Sequence, residues 1–500
     1  MIQTLKRYIG NLSLTQILIA GLLARIIAVI FSAGYGFHDD HFEVIELAWK
    51  WKDGLSFTWD GNAIHMFSLL YPGLHYLIFS LCHLLGIDQP EHMMIVVRAL
   101  HAVVSMGGIY YAWHLSYRLG GNKMLANSMA LLLALGWFFP FLSVRSLREV
   151  FCIPFLLAGC YHAVADNFRL RDAILSAICF AIAFDIRMQI IFIPLGIGVW
   201  WLFHKASIRH ALIFGIAFLA CIALTQGLFD QLYYGNPLAS TLEYLRYNSD
   251  ATHIGSYPQG PWYMYAGTLA LFVLGIPILL LYPGVVYSYK ISAHTRMLLL
   301  SLIFFFLFHS FYSNKQERFI LPALPLFVML GLHGLREGMI ALREPLWLRK
   351  FSGFALMWFL VLNTAGLILL TVTYSKKARV ESMVWLREQK QVRNFVLEGT
   401  GNPPPPPLFY LQQHLNYYTF TAAQQPSALD SMIKKGDRPA PDYVIMAGSK
   451  DLDKRLERLH AVFPHMEKAT TIEPGFIDNI AYRLNPKHNQ NEAWFIYRIQ

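Results

Sequence analysis

Long runs of apolar residues, separated by short polar segments, dominate the first three quarters of the chain. A bilayer-spanning α-helix needs about 20 predominantly apolar residues. Eleven runs match or approach that length, so the pattern predicts an all-α polytopic membrane protein with about eleven transmembrane helices. The runs lie at 14–32, 93–117, 124–141, 149–165, 172–186, 188–203, 211–229, 262–289, 297–312, 319–335 and 352–374.

A further apolar run, at 66–86, decides the predicted topology. If it crossed the bilayer, the later loops would be inverted against the rule that cytoplasmic loops are rich in Lys and Arg. His65, His75 and His83 are also costly in hydrocarbon, so we assign this run to the outer face. The residues that then face the cytoplasm are Lys6, Arg7, Arg118, Lys123, Arg169, Arg171, Lys205, Arg209, Lys290, Arg296, Arg336, Arg343, Arg349 and Lys350.

The hydropathy falls after Tyr374, which predicts a membrane domain at 1–375 and an extracytoplasmic soluble α/β domain at 376–500. In the second domain a helical pattern at about 377–397 leads to Pro403–Pro407, a stiff polyproline spacer. The apolar alternation then predicts strands at Leu408–Leu411, Tyr443–Met446 and Trp494–Ile499, with a helix at Leu452–Val462.

Composition agrees with a membrane protein, because 55% of the 500 residues are hydrophobic, 14% are charged and the mean hydropathy is +0.40. The basic residues behind the net charge of +10 lie in short loops between apolar runs, where they indicate the orientation of the protein in the membrane. Nucleic acid is therefore excluded as a partner. Lys6 and Arg7 precede a long first run without a small-residue cleavage site, which indicates a retained signal anchor. The five cysteines stand singly in apolar stretches and are interpreted as core residues rather than disulfides or metal ligands.

The segment Phe37-His-Asp-Asp-His-Phe-Glu43 places two carboxylates and two imidazoles where the first helix meets water. Adjacent like charges raise one pKa and compete for the same counter-charge, so a catalytic role explains them better than chance. The alternative is a solvated acidic loop that caps a helix. Glu43 to Trp59 has the pattern of an amphipathic helix on the membrane surface.

The outer loops contain a second group of charges that breaks the otherwise charge-poor outer face. A cluster of Arg and Lys facing two carboxylates can hold a phosphate or pyrophosphate group. Mutual salt-bridging between loops is the alternative. These charges lie in Arg145–Glu149, Asp185–Arg187, Asp230–Pro261 and Asn314–Phe319.

These residues resemble the motifs of the GT-C glycosyltransferases, and among them the dolichyl-phosphate-mannose-dependent mannosyltransferases of GPI-anchor and N-glycan assembly. Residues 37–43 resemble the family's His-Pro-Asp-Glu-x-Phe-Gln, and Thr58-Trp59-Asp60 its Thr-Trp-Glu. Two further elements are matched only in part, by Arg145, Ser146 and Glu149 and by Arg187.

The strongest resemblance lies later in the chain. Asp230-Gln-Leu-Tyr-Tyr-Gly235 is similar to Asp-x-x-x-Tyr-Gly, and 255–265 to Tyr-Gly-x-x-Pro-Trp-x-Trp-Tyr. Residues 314–322 are similar to His-Lys-Glu-x-Arg-Phe-x-x-Pro. The motifs occur in the family's order across about 35–325, with departures such as Asp40 for Glu and Asn314 for His. The resemblance does not cover the chain beyond about 376.

The resemblance implies transfer of a sugar, with mannose expected, from a polyprenyl-phosphate carrier to a hydroxyl of a lipid-linked or membrane-presented glycan, with inversion. Asp39 is then the candidate base, and Asp40 positions the acceptor or shares the proton. Lys315 and Arg318 are the expected phosphate ligands, followed by Arg187, and no metal or other cofactor is predicted. Further candidates for the substrate site are Arg145, Glu149, Trp59, Tyr257 and Trp262, the aromatic ones being equally typical of membrane anchors.

Two other classes of protein fit part of this pattern. A flippase or transporter for a lipid-linked sugar also needs to bind a lipid phosphate, but it favours inverted repeats and broken helices, and no repeat is visible. A structural subunit would leave the carboxylate pair without a role. Within the enzyme class, a different polyprenyl-phosphate sugar stays open. The predicted partners are the donor lipid, a glycan acceptor and the bilayer, with the active-site loops and the soluble domain outside the cytoplasm.

Overall fold

A computed structural model describes residues 2–55, 65–165, 169–203, 208–250, 252, 259–389, 392–486 and 489–500. The chain divides into two compact units. The membrane unit comprises Met1–Val29, Leu55–Leu77 and Val97–Thr371, and the tail unit comprises Ile30–Gly54, Ile78–Val96 and Val372–Gln500. The predicted domain boundary at 375/376 stays a prediction.

Within the described ranges, six helices have the length and apolar composition needed to cross a bilayer. The other predicted runs form helices shorter than 18 residues, or helices that are interrupted. The run at 262–289, for example, is broken between Met264–Phe272 and Ile278–Tyr287, where Gly275 has a φ of +84° and Pro277 follows. The six helices are Leu14–Phe31, Pro90–Gly120, Ile208–Tyr234, Ala293–Phe311, Glu317–Ala341 and Leu346–Thr371.

Shorter helices complete the fold outside the C-terminal sheet domain. The apolar run at 66–86, which we assigned to the outer face, forms the helix Leu70–Leu84. Its 15 residues extend about 22 Å, less than the roughly 30 Å thickness of the hydrocarbon core. The others are Ile2–Asn11, His38–Asp40, Glu46–Lys52, Lys123–Leu135, Phe139–Ser143, Arg148–Phe151, Ile153–Ala163, Leu170–Ile186, Phe192–Phe203 and Ala239–Ser249, with π-helical turns at His41–Ile45 and Ala223–Gly227 and 3₁₀ turns at Met188–Ile191, Ser288–Lys290 and Glu317–Ala323.

Side chains of other helices satisfy the C-terminal end of the helix Lys123–Leu135. The buried guanidinium of Arg25 donates to the carbonyls of Leu133 and Ala134, at 2.9 and 3.1 Å. The amide of Asn363 donates to the carbonyl of the helix's last residue at 2.9 Å. The last carbonyls of a helix have no partner within it, and lipid offers none. Arg25 therefore faces the protein and caps a helix end.

The tail unit contains a five-stranded sheet with the order β2-β1-β3-β5-β4. Strand β1 is parallel to both β2 and β3, whereas β5 is antiparallel to β3 and β4. The strands are β1 Phe395–Gly399, β2 Tyr418–Thr421, β3 Tyr443–Ala447, β4 Met466–Ile472 and β5 Trp494–Ile499. Helices Lys377–Glu388, Leu408–Leu411, Pro426–Lys434, Leu452–His460 and Phe476–Leu484 accompany them.

The predicted small α/β domain is confirmed, including strands β3 and β5 and the helix Leu452–His460. The prediction of a strand at Leu408–Leu411 is wrong, because this segment is one helical turn. Four apolar residues are too few for periodicity to distinguish the two. The helix predicted at 377–397 ends at Glu388, and its last residues belong to β1.

Candidate functional site

The acidic segment lies in the tail unit, on a helix that begins at His38 and continues through a π-helical turn to Lys52. Asp40 is buried, and its carboxylate accepts the backbone N–H of Phe37 at 3.2 Å, which holds the start of the helix. Asp39 is partly exposed. Of the two predicted catalytic carboxylates, that of Asp39 is therefore the more accessible to a substrate.

A segment from the far end of the chain holds the residues that follow the acidic pair. The buried ring of His41 stacks on Tyr35 at 4.7 Å and on Tyr410 at 5.7 Å. The Glu46 carboxylate accepts the backbone N–H of Phe409 at 2.9 Å, and the same oxygen lies 3.3 Å from His41 Nε2. The Phe409–Glu46 hydrogen bond and the packing of the His41 ring fix the helix that carries the acidic pair.

The described part of the helix predicted at Glu43–Trp59 buries apolar residues against protein. Trp49 is buried, with Phe409 edge-on at 6.2 Å and the His414 ring stacked on it at 3.7 Å. His414 also pairs with Asp53 at 2.7 Å. The prediction that this face contacts the bilayer is therefore wrong for Trp49, because an amphipathic pattern does not distinguish lipid from a protein partner.

The membrane unit brings together three of the predicted substrate-site residues, from three separate segments of the chain. One oxygen of the buried Glu149 carboxylate lies 3.1 Å from Arg187 Nη2 and 3.6 Å from Arg318 Nε. Both arginines are buried as well. These three groups, the Glu149 cluster, carry one net positive charge away from water, where an anion interacts strongly with it.

Two glutamines and an aromatic ring orient the arginines of the Glu149 cluster. Arg187 Nη2 donates to Gln189 Oε1 at 2.5 Å, and Arg318 Nε donates to Gln316 Oε1 at 2.9 Å. The guanidinium carbons lie 4.9 and 5.8 Å from the centre of the Phe319 ring. Neither glutamine is among the site residues predicted from the sequence. Each is two residues from its arginine, which is the only local signal that could have indicated it.

Lys315 is buried at the end of the helix Ala293–Phe311. Its Nζ donates to the carbonyls of His309, Ser310 and Tyr312 at 3.2, 2.7 and 2.5 Å. An ammonium group has three donors, so here it acts as a cap on the helix C-terminus. Burial also lowers the pKa of Lys315. A phosphate could reach this cation only by replacing at least one of the carbonyls.

The remaining predicted site residues occupy several places. The buried guanidinium of Arg145 lies 4.1 Å from the centre of the Phe141 ring. Trp262 is 66% exposed, which suits either contact with a substrate or membrane anchoring. Trp59 and Tyr257 lie outside the described residues.

The motif at 230–235 has a clear structural role. Asp230 accepts the backbone N–H and the hydroxyl of Ser240, at 2.8 and 2.6 Å, near the start of the next helix. Gly235 adopts a φ of +73°, which ends the preceding helix in the left-handed conformation. The hydroxyl of Tyr234 accepts the backbone N–H of His65 at 3.0 Å. These residues hold loops of the membrane unit together.

Comparisons with known sequences agree with the motifs. A family model described as the Alg9-like mannosyltransferase family matches residues 16–396. Mannosyltransferase APTG1 of Arabidopsis thaliana is 24% identical over 330 residues, which cover 61% of this chain and 56% of that protein. GPI alpha-1,2-mannosyltransferase 3 of Homo sapiens is 22% identical over 290 residues, covering 56% of this chain and 48% of that protein. The chain thus spans about half the length of these curated relatives.

Solved structures with the same fold cover most of the chain. The crystal structure of ArnT from Cupriavidus metallidurans bound to undecaprenyl phosphate has a TM-score of 0.61 at 11% identity, and the match covers 97% of both chains. The Archaeoglobus fulgidus oligosaccharyltransferase in complex with zinc and sulfate has a TM-score of 0.54 at 10% identity, over 86% of this chain and 68% of that one. At such identities the likeness concerns the fold alone, and the predicted GT-C fold is confirmed.

Proposed function

The chain belongs to the Alg9-like mannosyltransferase family, and on that premise we propose that it is an inverting α-mannosyltransferase of the membrane. It moves mannose from a polyprenyl-phosphate carrier to a hydroxyl of a lipid-linked or membrane-presented glycan. The Glu149 cluster is the observation that carries this proposal, because two buried guanidiniums converge on one carboxylate, and guanidiniums are the side chains best suited to bind a phosphate. The mannosyltransferase names of the relatives support the choice of sugar.

Each step of the proposed transfer uses groups of this chain. The Asp39 carboxylate takes the proton of the acceptor hydroxyl, whose oxygen attacks the anomeric carbon. The new glycosidic bond forms as the bond from that carbon to the phosphate oxygen breaks, and the lipid phosphate leaves with the electron pair. Arg318 and Arg187 stabilise the leaving charge. Attack from the face opposite the phosphate inverts a β-linked donor to an α-linked product.

Truncation of Arg318 tests the phosphate role. A charge-assisted hydrogen bond is worth about 1.5–3 kcal/mol, so Arg318→Ala should lower kcat/KM for the donor by about 10- to 150-fold. Part of the loss should appear in kcat, since the phosphate charge grows in the transition state. Lys315→Ala should weaken use of the donor in the same direction. The measurement is steady-state transfer from polyprenyl-phosphate mannose, with the acceptor varied separately.

A matched control for this experiment is Arg336→Ala in the same unit. Arg336 is partly exposed and pairs with Glu337, an interaction of little energetic value. Arg318→Ala must therefore lose more donor turnover than Arg336→Ala. Equal turnover of the two variants, or a loss confined to the acceptor KM, would contradict the assignment.

We also propose that the Asp39 segment, the Tyr233–Pro261 segment and the C-terminal domain face the extracytoplasmic side, whereas Arg343 to Lys350 face the cytoplasm. The hydrogen bond between Phe409 and Glu46 supports a common side for the Asp39 segment and the C-terminal domain. The helix Leu346–Thr371 is about 39 Å long, which exceeds the thickness of the hydrocarbon core. This length supports a position of its two ends on opposite sides of the membrane.

Single-cysteine labelling checks this topology. In a background without the five native cysteines, Ser427→Cys in the C-terminal domain should react with a membrane-impermeant maleimide added from outside, whereas Leu346→Cys should react only after permeabilisation. Neither position is buried in the protein, so protein packing blocks neither thiol. Labelling of the 346 position but not the 427 position in intact cells would reverse the topology.

A further inference from the structure

The helix Phe476–Leu484 in the tail unit exposes an apolar face. Phe476, Ile480 and Leu484 are 71%, 38% and 81% exposed. Their spacing of four residues places them along one side of the helix. The opposite side contains the buried Asp478, so this side of the helix packs on the domain. The apolar face is thus the outward face of a helix that is itself held in place.

The start of this helix packs on Tyr374–Lys377, the segment of the tail unit that follows the last membrane-spanning helix in the chain. The Asp478 carboxylate accepts the backbone N–H of Lys377 at 3.2 Å. Gly475 packs closely on the backbone of Tyr374, because a Cβ added to Gly475 would lie 2.4 Å from the carbonyl oxygen of Tyr374. Tyr374 follows the end of Leu346–Thr371 by three residues, which span at most about 11 Å of extended chain.

The exit of the first membrane-spanning helix is attached to the same segment. Leu14–Phe31 is followed directly by Ser32, whose hydroxyl donates to the carbonyl of Thr373 at 3.1 Å. The backbone N–H of Ser375 donates to the carbonyl of Ala33 at 3.1 Å. Two chain exits from the membrane therefore meet within the tail unit, next to the start of the exposed helix.

We propose that Phe476–Leu484 lies in the plane of the bilayer surface and inserts Phe476, Ile480 and Leu484 among the phospholipid headgroups and the upper acyl chains. Amphipathic helices bind lipid in this way when one face is apolar and the other is polar or attached to protein. Arg483, exposed beside this face, can pair with lipid phosphates. The lipid contact orients the C-terminal domain on the membrane and does not depend on the proposed reaction.

Fluorescence quenching of the full-length protein in phospholipid nanodiscs tests this proposal. Ile480→Cys, in the cysteine-free background, is labelled with an environment-sensitive bimane. The matched control is Glu457→Cys, an exposed position on the helix Leu452–His460 of the same domain. Lipids with a nitroxide on the upper acyl chain should quench the 480 label severalfold more than the 457 label. Aqueous iodide should quench the 480 label severalfold less.

Two results would overturn the proposal. Equal iodide quenching at the two positions would place the face in water, and protection of the 480 label from both quenchers would place another protein surface on it. If the cysteine-free background does not fold, benzoylphenylalanine at Phe476 in the otherwise native chain provides the second measurement. Photocrosslinking to a labelled phospholipid is expected, and crosslinking to protein alone would exclude the lipid contact.

Discussion

Replacing Asp39 by asparagine should slow mannosyl transfer by about 10²- to 10⁴-fold, the range typical of losing general base catalysis. The amide keeps the shape of the carboxylate but cannot accept the proton of the acceptor hydroxyl. Asp39 is partly exposed on a helix whose following turns are fixed by buried contacts, so the substitution should leave the fold intact. The measurement is single-turnover transfer with saturating donor and acceptor.

Asp53→Asn is the matched control for the Asp39 variant. Asp53 follows the same helix, is exposed and pairs with His414 and Lys52, so its neutralisation weakens two surface interactions of small value. Transfer by Asp53→Asn should stay close to that of the parent. If a correctly inserted Asp39→Asn protein also turns over at the parent rate, another group must take the proton.

The residues of the Glu149 cluster can be predicted from the sequence, but their arrangement cannot. Glu149, Arg187 and Arg318 each lie in a short charged segment between apolar runs and resemble a family motif. Their convergence on one carboxylate oxygen depends on helix packing, which no local pattern encodes. Salt-bridging and phosphate binding, the two interpretations of these charges, are compatible in this geometry, because each guanidinium has five N–H donors and can bind a carboxylate and a phosphate at the same time.

The residues that pack against the acidic segment could not be predicted from local sequence patterns. Phe409 and Tyr410 pack on Glu46 and His41 from more than 360 residues away. The family motifs end before this part of the chain. Periodicity indicates that the face around Trp49 is buried, but it does not identify what covers it. Long-range contacts of this kind require the topology of the tail unit.

The last prediction concerns the stability of the membrane unit. Glu149→Gln should lower the free energy of unfolding by about 3–5 kcal/mol, the typical cost of removing one partner from a buried ion pair. The amide preserves the volume of the side chain, so the loss comes from removing the negative charge that Arg187 and Arg318 share. The measurement is the unfolding midpoint of the detergent-purified protein.

Glu337→Gln provides the matched control for that experiment, because Glu337 pairs with Arg336 at a partly exposed site of the same unit and should contribute about 0–1 kcal/mol. Polyprenyl phosphate should raise the unfolding midpoint of Glu149→Gln more than that of the parent, since the lipid phosphate supplies the missing negative charge to the same guanidiniums. Equal midpoints for the Glu149→Gln and Glu337→Gln proteins would show that the cluster contributes no buried ion-pair energy. If the lipid stabilises the parent and Glu149→Gln equally, the two arginines do not bind its phosphate.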